Sequence, residues 1–361
     1  MNHQNMHNYA ARLHVVRQQF TTWQIDALLI TGSTNRRWLS GFTGSNGRLL
    51  ITPTKAILAT DSRYYDQMTY EAPEFELFKD QRRPEDTVAL LDYARAKRIG
   101  LEANHITLAD ARLLQKQADI TWVELSASLE QFRSIKTESE IEIIQTAANI
   151  TDQTMAQVRK IARPGITEAM LAWELEKHMR ENGANATAFD IIVAFGANSA
   201  LPHHHPGNKR LNVDDIVLVD IGADVDGYKS DLTRTFYLGS PSDEFLFRYN
   251  LVKSAKTAVL EKCRPGMDSK AVDAIARNVI KAAGCGDQFG HSLGHNLGLD
   301  IHEDPYLSNI RPPTLLHANM VITIEPGVYF TGWGGIRLED LALLTPNGFK
   351  LLSHAPHTPH I

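Results

Sequence analysis

Residues 216–235, IVLVDIGADVDGYKSDLTRT, contain the strongest fold signal in the chain. An apolar, β-branched run, an Asp-Gly dipeptide and a second strand-like run predict a β-hairpin. With residues 225–226 as the loop, Asp220 faces Asp231 directly; with residues 226–227 as the loop, the two are diagonal. Side chains alternate between the faces of a strand, so either register places both carboxylates on one side of the sheet. An unpaired carboxylate is costly in such apolar strands, so the pair predicts a bound cation.

A glycine-rich segment at residues 290–295, GHSLGH, carries further metal-binding chemistry. Its glycines predict a tight loop with close approach of the backbone. His295 is the candidate ligand, and His291 and His302 are candidates for contact with a substrate or for support of the ligands. The spacing differs from that of the helical H-E-x-x-H zinc motif.

Two more strands are predicted in residues 321–329, VITIEPGVY, and residues 335–340, GIRLED. They carry Glu325 and Glu339, respectively. The candidate ligands are therefore four carboxylates and one imidazole: Asp220, Asp231, His295, Glu325 and Glu339. This set suits a pair of hard or borderline divalent cations better than a structural zinc, which prefers thiolates. In proteins, such pairs of ions serve to activate water and to stabilise tetrahedral intermediates.

Other polar residues near these segments have a simpler interpretation. We expect Glu303, Asp304 and Asp340 to be loop or outward-facing groups. The three histidines of residues 203–205 point in different directions in any extended chain. We therefore expect His203 alone to be functional and the other two to be solvated.

Residues 1–133 alternate between helix and strand patterns, which predicts an N-terminal three-layer α/β domain. A Pro-Thr dipeptide at residues 53–54 predicts the turn of a hairpin within it. The predicted helices are residues 9–22, 84–96 and 108–118, and the predicted strands are residues 27–31, 48–52, 56–60 and 99–102.

A domain boundary is predicted at residues 134–142, so that residues 134–361 form the second domain. Thr137 and Glu140 have the spacing of a capping box, in which each side chain bonds to the backbone amide of the other residue. A long helix should therefore begin at residue 138 and continue to about residue 161.

The second domain contains an internal repeat. An Arg-Pro-Gly sequence at residues 163–165 precedes a helical run that ends at Gly183, and another at residues 264–266 precedes a run that ends at Gly284. The equal lengths predict a duplicated αβ unit. Two such units packed about a pseudo-two-fold axis would leave a cleft, and clefts of this kind commonly bind ligands.

The composition argues against several classes of function. A formal net charge of −5 is unfavourable for nucleic acid as a partner. Cys263 and Cys285 lack CxxC spacing, which predicts reduced thiols rather than a disulfide or a thiolate metal site. Residues 1–20 lack the apolar segment of a signal peptide, and the apolar runs are too short to span a bilayer. We therefore expect a cytoplasmic protein without membrane partners.

Four motifs in this order resemble those of the pita-bread metallopeptidases. They are Asp-Ile-Gly…Tyr-x-x-Asp-x-Thr-Arg-Thr from residue 220, Gly-His-x-x-Gly-His from residue 290, Glu-Pro-Gly-x-Tyr from residue 325 and Gly-Ile-Arg-x-Glu-Asp from residue 335. The resemblance is most specific to the Xaa-Pro peptidase branch, which contains Xaa-Pro aminopeptidases and prolidases. Residues 39–45 and 60–64 resemble its creatinase-type N-terminal domain, which methionine aminopeptidases usually lack.

The resemblance implies a fold and a metal site. Residues 134–361 would form a pita-bread domain with internal pseudo-two-fold symmetry after a creatinase-type domain. Asp231 and Glu339 would bridge two metal ions, with Asp220 serving one ion and His295 and Glu325 the other. Glu325 would also be the general acid/base. The ions would be manganese, with cobalt or zinc as substitutes, and the protein would form a homodimer.

The same resemblance assigns roles to residues around the metals. His203 and His302 would stabilise the substrate carbonyl and the tetrahedral intermediate, and His291 would line the site. Tyr329 and Arg337 would be substrate-binding residues.

We expect an Xaa-Pro aminopeptidase, which releases the N-terminal residue from short peptides with proline in the second position. The first alternative is a prolidase, which cleaves only Xaa-Pro dipeptides and needs a cation for the substrate's carboxylate; Arg36 and Arg37 are candidates. The second alternative is a metal-free relative that acts as a hydrolase or as a binding protein. Such relatives have lost metal ligands, whereas all five are present here.

Overall fold

The computed structural model describes residues 8–116 and 119–361. The chain divides into two compact units, Met1–Arg133 and Ser134–Ile361. Among the described residues, no helix combines the length and the apolar character that a membrane span requires.

The N-terminal unit is built on a six-stranded mixed sheet. Across the sheet the strand order is β4-β3-β2-β1-β5-β6, with β2 antiparallel to both neighbours and the other pairs parallel. Strands β1 and β3 are buried along their whole length, so both faces of the sheet are covered, as in the predicted three-layer α/β fold. The strands are β1 (Ala27–Ile30), β2 (Arg48–Ile51), β3 (Ala56–Thr60), β4 (Glu76–Lys79), β5 (Arg98–Glu102) and β6 (Thr121–Leu125).

The helices of this unit confirm the predicted positions but are shorter. The predicted helix at 9–22 is two helices, and the one at 84–96 ends where Arg95 adopts a left-handed conformation, with φ 53°. The predicted helix at 108–118 ends earlier, and residues 117–118 lie outside the described residues. The helices are α1 (Tyr9–Gln18), α2 (Phe20–Trp23), α3 (Ser33–Ser40), α4 (Tyr65–Glu71), α5 (Pro84–Ala94), α6 (Leu108–Leu114) and α7 (Glu130–Arg133).

The C-terminal unit begins with the predicted capping box. The Thr137 side chain accepts a hydrogen bond from the Glu140 amide, and the Glu140 side chain accepts one from the Thr137 amide, which confirms the predicted helix start. The helices of this unit are α8 (Glu138–Ile161), α9 (Glu168–Glu181), α10 (Asp243–Lys262) and α11 (Ser269–Ala282).

The predicted duplication is present in the backbone hydrogen bonds. We call residues 138–237 the first repeat and residues 243–345 the second repeat. The Gly165 amide donates to the Leu211 carbonyl at 2.8 Å, and the Gly266 amide donates to the Leu316 carbonyl at 2.8 Å. Helices α9 and α11 follow these turns, and each has 14 residues. Each repeat has its own apolar cluster, in which the helices pack on the strands.

A long antiparallel hairpin in the first repeat carries the two aspartates. Its strands are β9 (Ile216–Ile221), β10 (Ala223–Val225), β11 (Tyr228–Lys229) and β12 (Leu232–Tyr237). Asp226 and Gly227 form the tip with φ of 46° and 80°, as a type I′ turn requires. Of the two predicted registers, the second is therefore present: Ile221 pairs with Leu232, so Asp231 lies opposite Gly222 and diagonal to Asp220.

An equivalent hairpin in the second repeat carries the two glutamates. Strand β15 (Val321–Ile324) pairs with β18 (Asp340–Thr345), and β16 (Gly327–Phe330) pairs with β17 (Gly334–Arg337) in the same register. The ladder is interrupted around Glu325 and Glu339, which lie opposite each other. Pro326 follows Glu325 and has no amide hydrogen to contribute to a ladder. The remaining strands of the unit are β7 (Ala186–Thr187), β8 (Ile192–Phe195), β13 (Gly294–Asn296), β14 (Glu303–Leu307) and β19 (Gly348–Leu351).

The two cysteines are buried free thiols, as predicted. Cys263 and Cys285 both belong to the apolar cluster of the second repeat. Burial raises the pKa of the Cys263 thiol to about 12, so this residue is unreactive at neutral pH.

Candidate metal centre

Three carboxylates converge where the two hairpins are interrupted. Oxygen atoms of Asp220, Asp231 and Glu339 lie within 4.8 Å of one another. The exposed fractions of these residues are 8%, 6% and 1%. Three carboxylates this close together in a buried position repel one another strongly unless a cation or protons lie among them.

His295 and Glu325 complete the cluster. The His295 Nε2 atom lies 3.6 Å from Asp231 Oδ2 and 3.5 Å from Glu325 Oε1. The other ring nitrogen, Nδ1, lies 3.1 Å from the Asn296 carbonyl, to which it can only donate. This contact fixes the tautomer in which Nε2 carries a lone pair toward the carboxylates, as in many metal-binding histidines.

Two unsatisfied carboxylate oxygen atoms indicate that the cluster fits a cation. Among the described residues, Asp220 Oδ1 and Glu339 Oε1 are buried without a hydrogen-bond partner. Buried polar atoms are nearly always satisfied, and exceptions call for an explanation such as an ion. The donor set of carboxylate oxygens and one imidazole suits hard or borderline divalent cations. The residues present therefore fit a metal centre.

Without a bound cation, the side chains of this cluster favour their uncharged forms. Burial and the neighbouring carboxylates raise the pKa values of Asp231 and Glu339 well above their ordinary range. Burial also raises the pKa of Glu325 to about 8 and lowers the pKa of His295 to about 3. A bound cation would reverse the preference of the carboxylates for protons.

Two threonines support the glutamate ligands. Thr233 Oγ1 donates to Glu339 Oε2 at 2.8 Å, and Thr323 Oγ1 donates to Glu325 Oε1 at 3.3 Å. Neither threonine was identified from the sequence. The signal was available, because each is a hydroxyl residue two positions from a predicted ligand and therefore on the same face of its strand.

Arg337 connects the carboxylates to the other predicted site residues. Its Nη2 atom donates to Asp220 Oδ2 at 2.7 Å, and its Nη1 atom donates to the Tyr329 hydroxyl at 2.8 Å. That hydroxyl lies 3.0 Å from His291 Nε2. Burial lowers the pKa of His291 to about 4, so its ring is neutral at physiological pH. Arg337, Tyr329 and His291 are thus in contact beside the metal ligands.

A cavity of about 340 Å³ opens onto the five candidate ligands. The other predicted residues that line it are His203, His291, His302 and Arg337. The His302 ring packs edge-on against the His295 ring, with 4.5 Å between centroids. An apolar part of the lining was not identified from the sequence, because apolar side chains in apolar surroundings give no distinct signal: Phe189, Ile192, Ile301 and Tyr306.

The three consecutive histidines differ from one another in their surroundings. His203 and His205 are exposed and line the cavity. His204 Nε2 lies 2.9 Å from Glu168 Oε2, and its side chain is only 14% exposed. The prediction that His204 is a solvated loop residue is therefore wrong, because its ring is held by a buried carboxylate.

Three other predictions near the site are corrected. His295 lies in strand β13 rather than in a tight loop, although Gly294 does make the predicted close approach, to the Thr323 carbonyl. Glu303 is buried and bonds to Lys136 at 3.0 Å, so it is not outward-facing. Asp340 is also buried rather than outward-facing, because two buried basic residues, Arg234 and Lys256, pair with its carboxylate.

Family models match most of the chain. Residues 142–346 match metallopeptidase family M24, and residues 12–135 match the creatinase/prolidase N-terminal domain. An Xaa-Pro dipeptidase of Pyrococcus horikoshii is 38% identical over 91% of this chain and 93% of its own. The structure of an Xaa-Pro dipeptidase from Bacillus anthracis superposes with a TM-score of 0.95 at 34% identity, covering 98% of this chain and 100% of that one. The structure of an X-Pro aminopeptidase from Thermotoga maritima gives 0.89 at 34% identity, with 97% and 99% covered.

The fold and the site define a metallopeptidase with a creatinase-type N-terminal domain and a pita-bread catalytic domain. The chain belongs to metallopeptidase family M24, in the Xaa-Pro peptidase branch that its motifs predict.

Proposed function

We propose that the protein is a metal-dependent Xaa-Pro dipeptidase, or prolidase. The observation that carries this proposal is a small cavity in which the five candidate ligands and a buried arginine, Arg337, occur together. About 340 Å³ is at the small end of ligand pockets and suits a dipeptide. In a dipeptide the terminal carboxylate lies only one residue from the scissile bond. The cationic side chain that binds this carboxylate must therefore lie inside the cavity.

Arg337 meets this requirement better than Arg36, one of the two arginines considered from the sequence. Arg36 is buried in the N-terminal unit, where it donates to the carbonyls of Gly47 and Gly44 at 2.6 and 2.5 Å. These two hydrogen bonds hold Arg36 within its own unit. Arg337 lines the cavity, and its hydrogen bond to Tyr329 holds both predicted substrate-binding residues in one place. Prolidase activity in the relatives supports the same choice.

The proposed chemistry is hydrolysis of a tertiary amide. Asp220, Asp231, His295, Glu325 and Glu339 would hold two divalent cations, for which we propose manganese. Such ions lower the pKa of water and polarise a carbonyl group. The proline nitrogen carries no hydrogen, so the site needs no acceptor for an N–H at the scissile bond.

The protein's own groups then manage the proton and the developing charge. Glu325 accepts a proton from the attacking water and delivers it to the leaving proline nitrogen, which must be protonated to depart. His203 and His302 donate hydrogen bonds to the carbonyl oxygen as negative charge accumulates there. The apolar part of the lining, with Phe189 and Ile192, excludes water around the substrate side chains.

Substrate length tests the proposal. We expect kcat/KM for Ala-Pro to exceed that for Ala-Pro-Ala by at least roughly 10-fold, because only the dipeptide places its carboxylate near Arg337. Arg337→Lys, which keeps the charge but not the two-sided contact with Asp220 and Tyr329, should reduce this preference. Equal or faster cleavage of the tripeptide would overturn the dipeptidase proposal.

The second candidate is an Xaa-Pro aminopeptidase. It is favoured by the similarity to the Thermotoga maritima X-Pro aminopeptidase, which covers nearly the whole chain. The same two substrates distinguish the candidates, since an aminopeptidase would release alanine from Ala-Pro-Ala at least as fast as from Ala-Pro.

A further inference from the structure

Glu168 is a buried carboxylate outside the metal centre with four hydrogen-bond partners. Its Oε1 atom accepts from the Phe195 amide and from Asn198 Nδ2, both at 2.9 Å. Its Oε2 atom accepts from the Gly207 amide at 3.1 Å and lies 2.9 Å from His204 Nε2. The side chain is fully buried. The Glu168 carboxylate therefore contacts both ends and two interior residues of the segment 195–207, which we call the histidine loop.

Glu168 holds the middle one of three histidines that line the cavity. All three histidines line the cavity, but only the His204 ring is held by Glu168, whereas its neighbours His203 and His205 are exposed. His203 shares the cavity lining with His291, His302 and the metal ligands.

The histidine loop also contacts the second repeat beside the site. Ser199 Oγ accepts a hydrogen bond from the Gly335 amide at 2.8 Å. The Pro202 carbonyl, directly before His203, accepts from Arg337 Nη1 at 3.4 Å. Movement of the loop would therefore displace His203 relative to Arg337 and to the metal ligands.

The second repeat shows that the backbone does not need this carboxylate. The Glu168 amide donates to the Lys209 carbonyl at 3.1 Å, and at the equivalent position the Ser269 amide donates to the Thr314 carbonyl at 2.9 Å. Ser269 Oγ only accepts from the Thr314 amide, at 3.1 Å. A glutamate is thus present at this position only in the first repeat, where its carboxylate holds the histidine loop.

We propose that Glu168 is a positioning residue for the peptidase reaction: through His204 and three further hydrogen bonds, it holds the histidine loop so that His203 faces the metal centre. This inference rests on the proposed function. Glu168 has no contact with the cavity, and its effect on catalysis passes through His203.

A double-mutant cycle with Glu168→Gln and His203→Ala tests the proposal, using full-length, manganese-loaded protein and Ala-Pro. Glutamine keeps the size of the side chain but places an amide group where the Gly207 amide and His204 donate. We expect each single variant to lower kcat/KM by about 10- to 100-fold, mainly through kcat, since small displacements of catalytic groups have effects of this size. The double variant should be no worse than His203→Ala. Additive losses would overturn the proposal.

Further measurements separate positioning from loss of structure. His204→Ala breaks the same contact from the loop side and should reproduce the kcat loss of Glu168→Gln; wild-type kcat in this variant would contradict the proposal. Glu174→Gln, the same change at an exposed residue of α9, should leave kcat unchanged. Bound manganese and the urea midpoint should be retained in Glu168→Gln to within the variation of that control.

Hydrogen exchange tests the anchor independently of activity. In Glu168→Gln, the amides of Phe195 and Gly207 should exchange at least roughly 10-fold faster, while those of α8 stay protected. Unchanged exchange in the histidine loop would overturn the proposal even if activity fell. A wild-type protein that cleaves neither Ala-Pro nor Ala-Pro-Ala would refute the proposed function, and the exchange result would still decide whether Glu168 holds the loop.

Discussion

The two repeats of the C-terminal unit share a backbone plan but provide different ligands. In both, an Arg-Pro-Gly turn leads into a 14-residue helix, and a long hairpin follows. Each hairpin ladder is interrupted once. The first repeat carries Asp231 opposite Gly222 at its interruption, and the second carries Glu339 opposite Glu325. The interruptions free these side chains from the regular ladder, so the metal cluster forms where neither sheet is continuous.

The repeats join at the same place. The Glu339 amide donates to the Thr233 carbonyl at 3.1 Å, and the Thr233 hydroxyl donates to the Glu339 carboxylate. Gly222 is required opposite Asp231, because a Cβ atom there would lie 2.1 Å from the Ser230 carbonyl oxygen. Duplication thus supplied a frame with two equivalent breaks, and the residues at the breaks diverged to make one site.

The largest expected effect is loss of activity when a ligand is removed from either break. Asp231→Asn and Glu339→Gln should each lower manganese-dependent hydrolysis of Ala-Pro by roughly 10³-fold or more, with loss of bound metal. In urea, both metal-stripped variants should be at least as stable as the metal-stripped wild type. Each substitution replaces one of the mutually repelling carboxylates with a neutral amide. The matched control is Asp304→Asn, an exposed carboxylate in the same unit. If one of these two variants kept full activity, the two repeats would not contribute equally to the metal site.

A smaller effect is expected at a feature that only the second repeat has. Asp340 forms a buried cluster with Arg234 at 2.6 Å, with His357 at 3.1 Å and with Lys256. The first repeat has the apolar Leu232 at the corresponding strand start. Asp340→Asn leaves buried cations uncompensated and should cost about 3–5 kcal/mol of unfolding free energy in urea titrations. An unchanged midpoint would show that the cluster contributes nothing to stability.

The two turn glycines should respond alike. Gly165 and Gly266 have φ of 92° and 88°, and an added Cβ atom would meet no atom within 4 Å at either position. Alanine therefore introduces only backbone strain, and each substitution should cost about 1 kcal/mol. Urea denaturation of the two variants checks this. A large difference between them would mean that the turns are not equivalent.

The smallest expected effect concerns pH and Glu168, where the second repeat has Ser269. Burial raises the pKa of Glu168, but His204 and the surrounding donors more than offset this, so the net shift is downward. A depressed pKa in the folded state gives stability that is present above the unfolded value of about 4.3 and is lost as the pH falls through the folded value. The acid unfolding curve of Glu168→Gln should thus be shallower below pH 5 than that of the wild type. Parallel curves would contradict the assignment.

Most of the frame could be predicted from local sequence patterns. The capping box at Thr137 and Glu140, the repeated Arg-Pro-Gly turns and the Asp-Gly dipeptide each depend on residues close in the chain. The choice between two hairpin registers could not be made, because both satisfy strand parity; the positive φ angles of Asp226 and Gly227 decide it.

The environment of each site residue depended on distant parts of the chain. Thr233 and Glu339 are far apart in sequence, as are His204 and Glu168, so no local pattern reveals their contacts. Asp340 was expected to face outward, because its basic partners Arg234 and Lys256 lie in another strand and a helix. Burial of a charge is predictable only when its partners are known.

Hydrolysis of Ala-Pro before and after exhaustive chelation tests the central claim, that breaks in two repeated hairpins together form a metal-dependent peptidase site. The account predicts that the metal-stripped protein is inactive and that added manganese restores activity in the wild type but in neither Asp231→Asn nor Glu339→Gln. Full activity after metal removal, verified by elemental analysis, would contradict it and would favour a metal-free mechanism on the same fold.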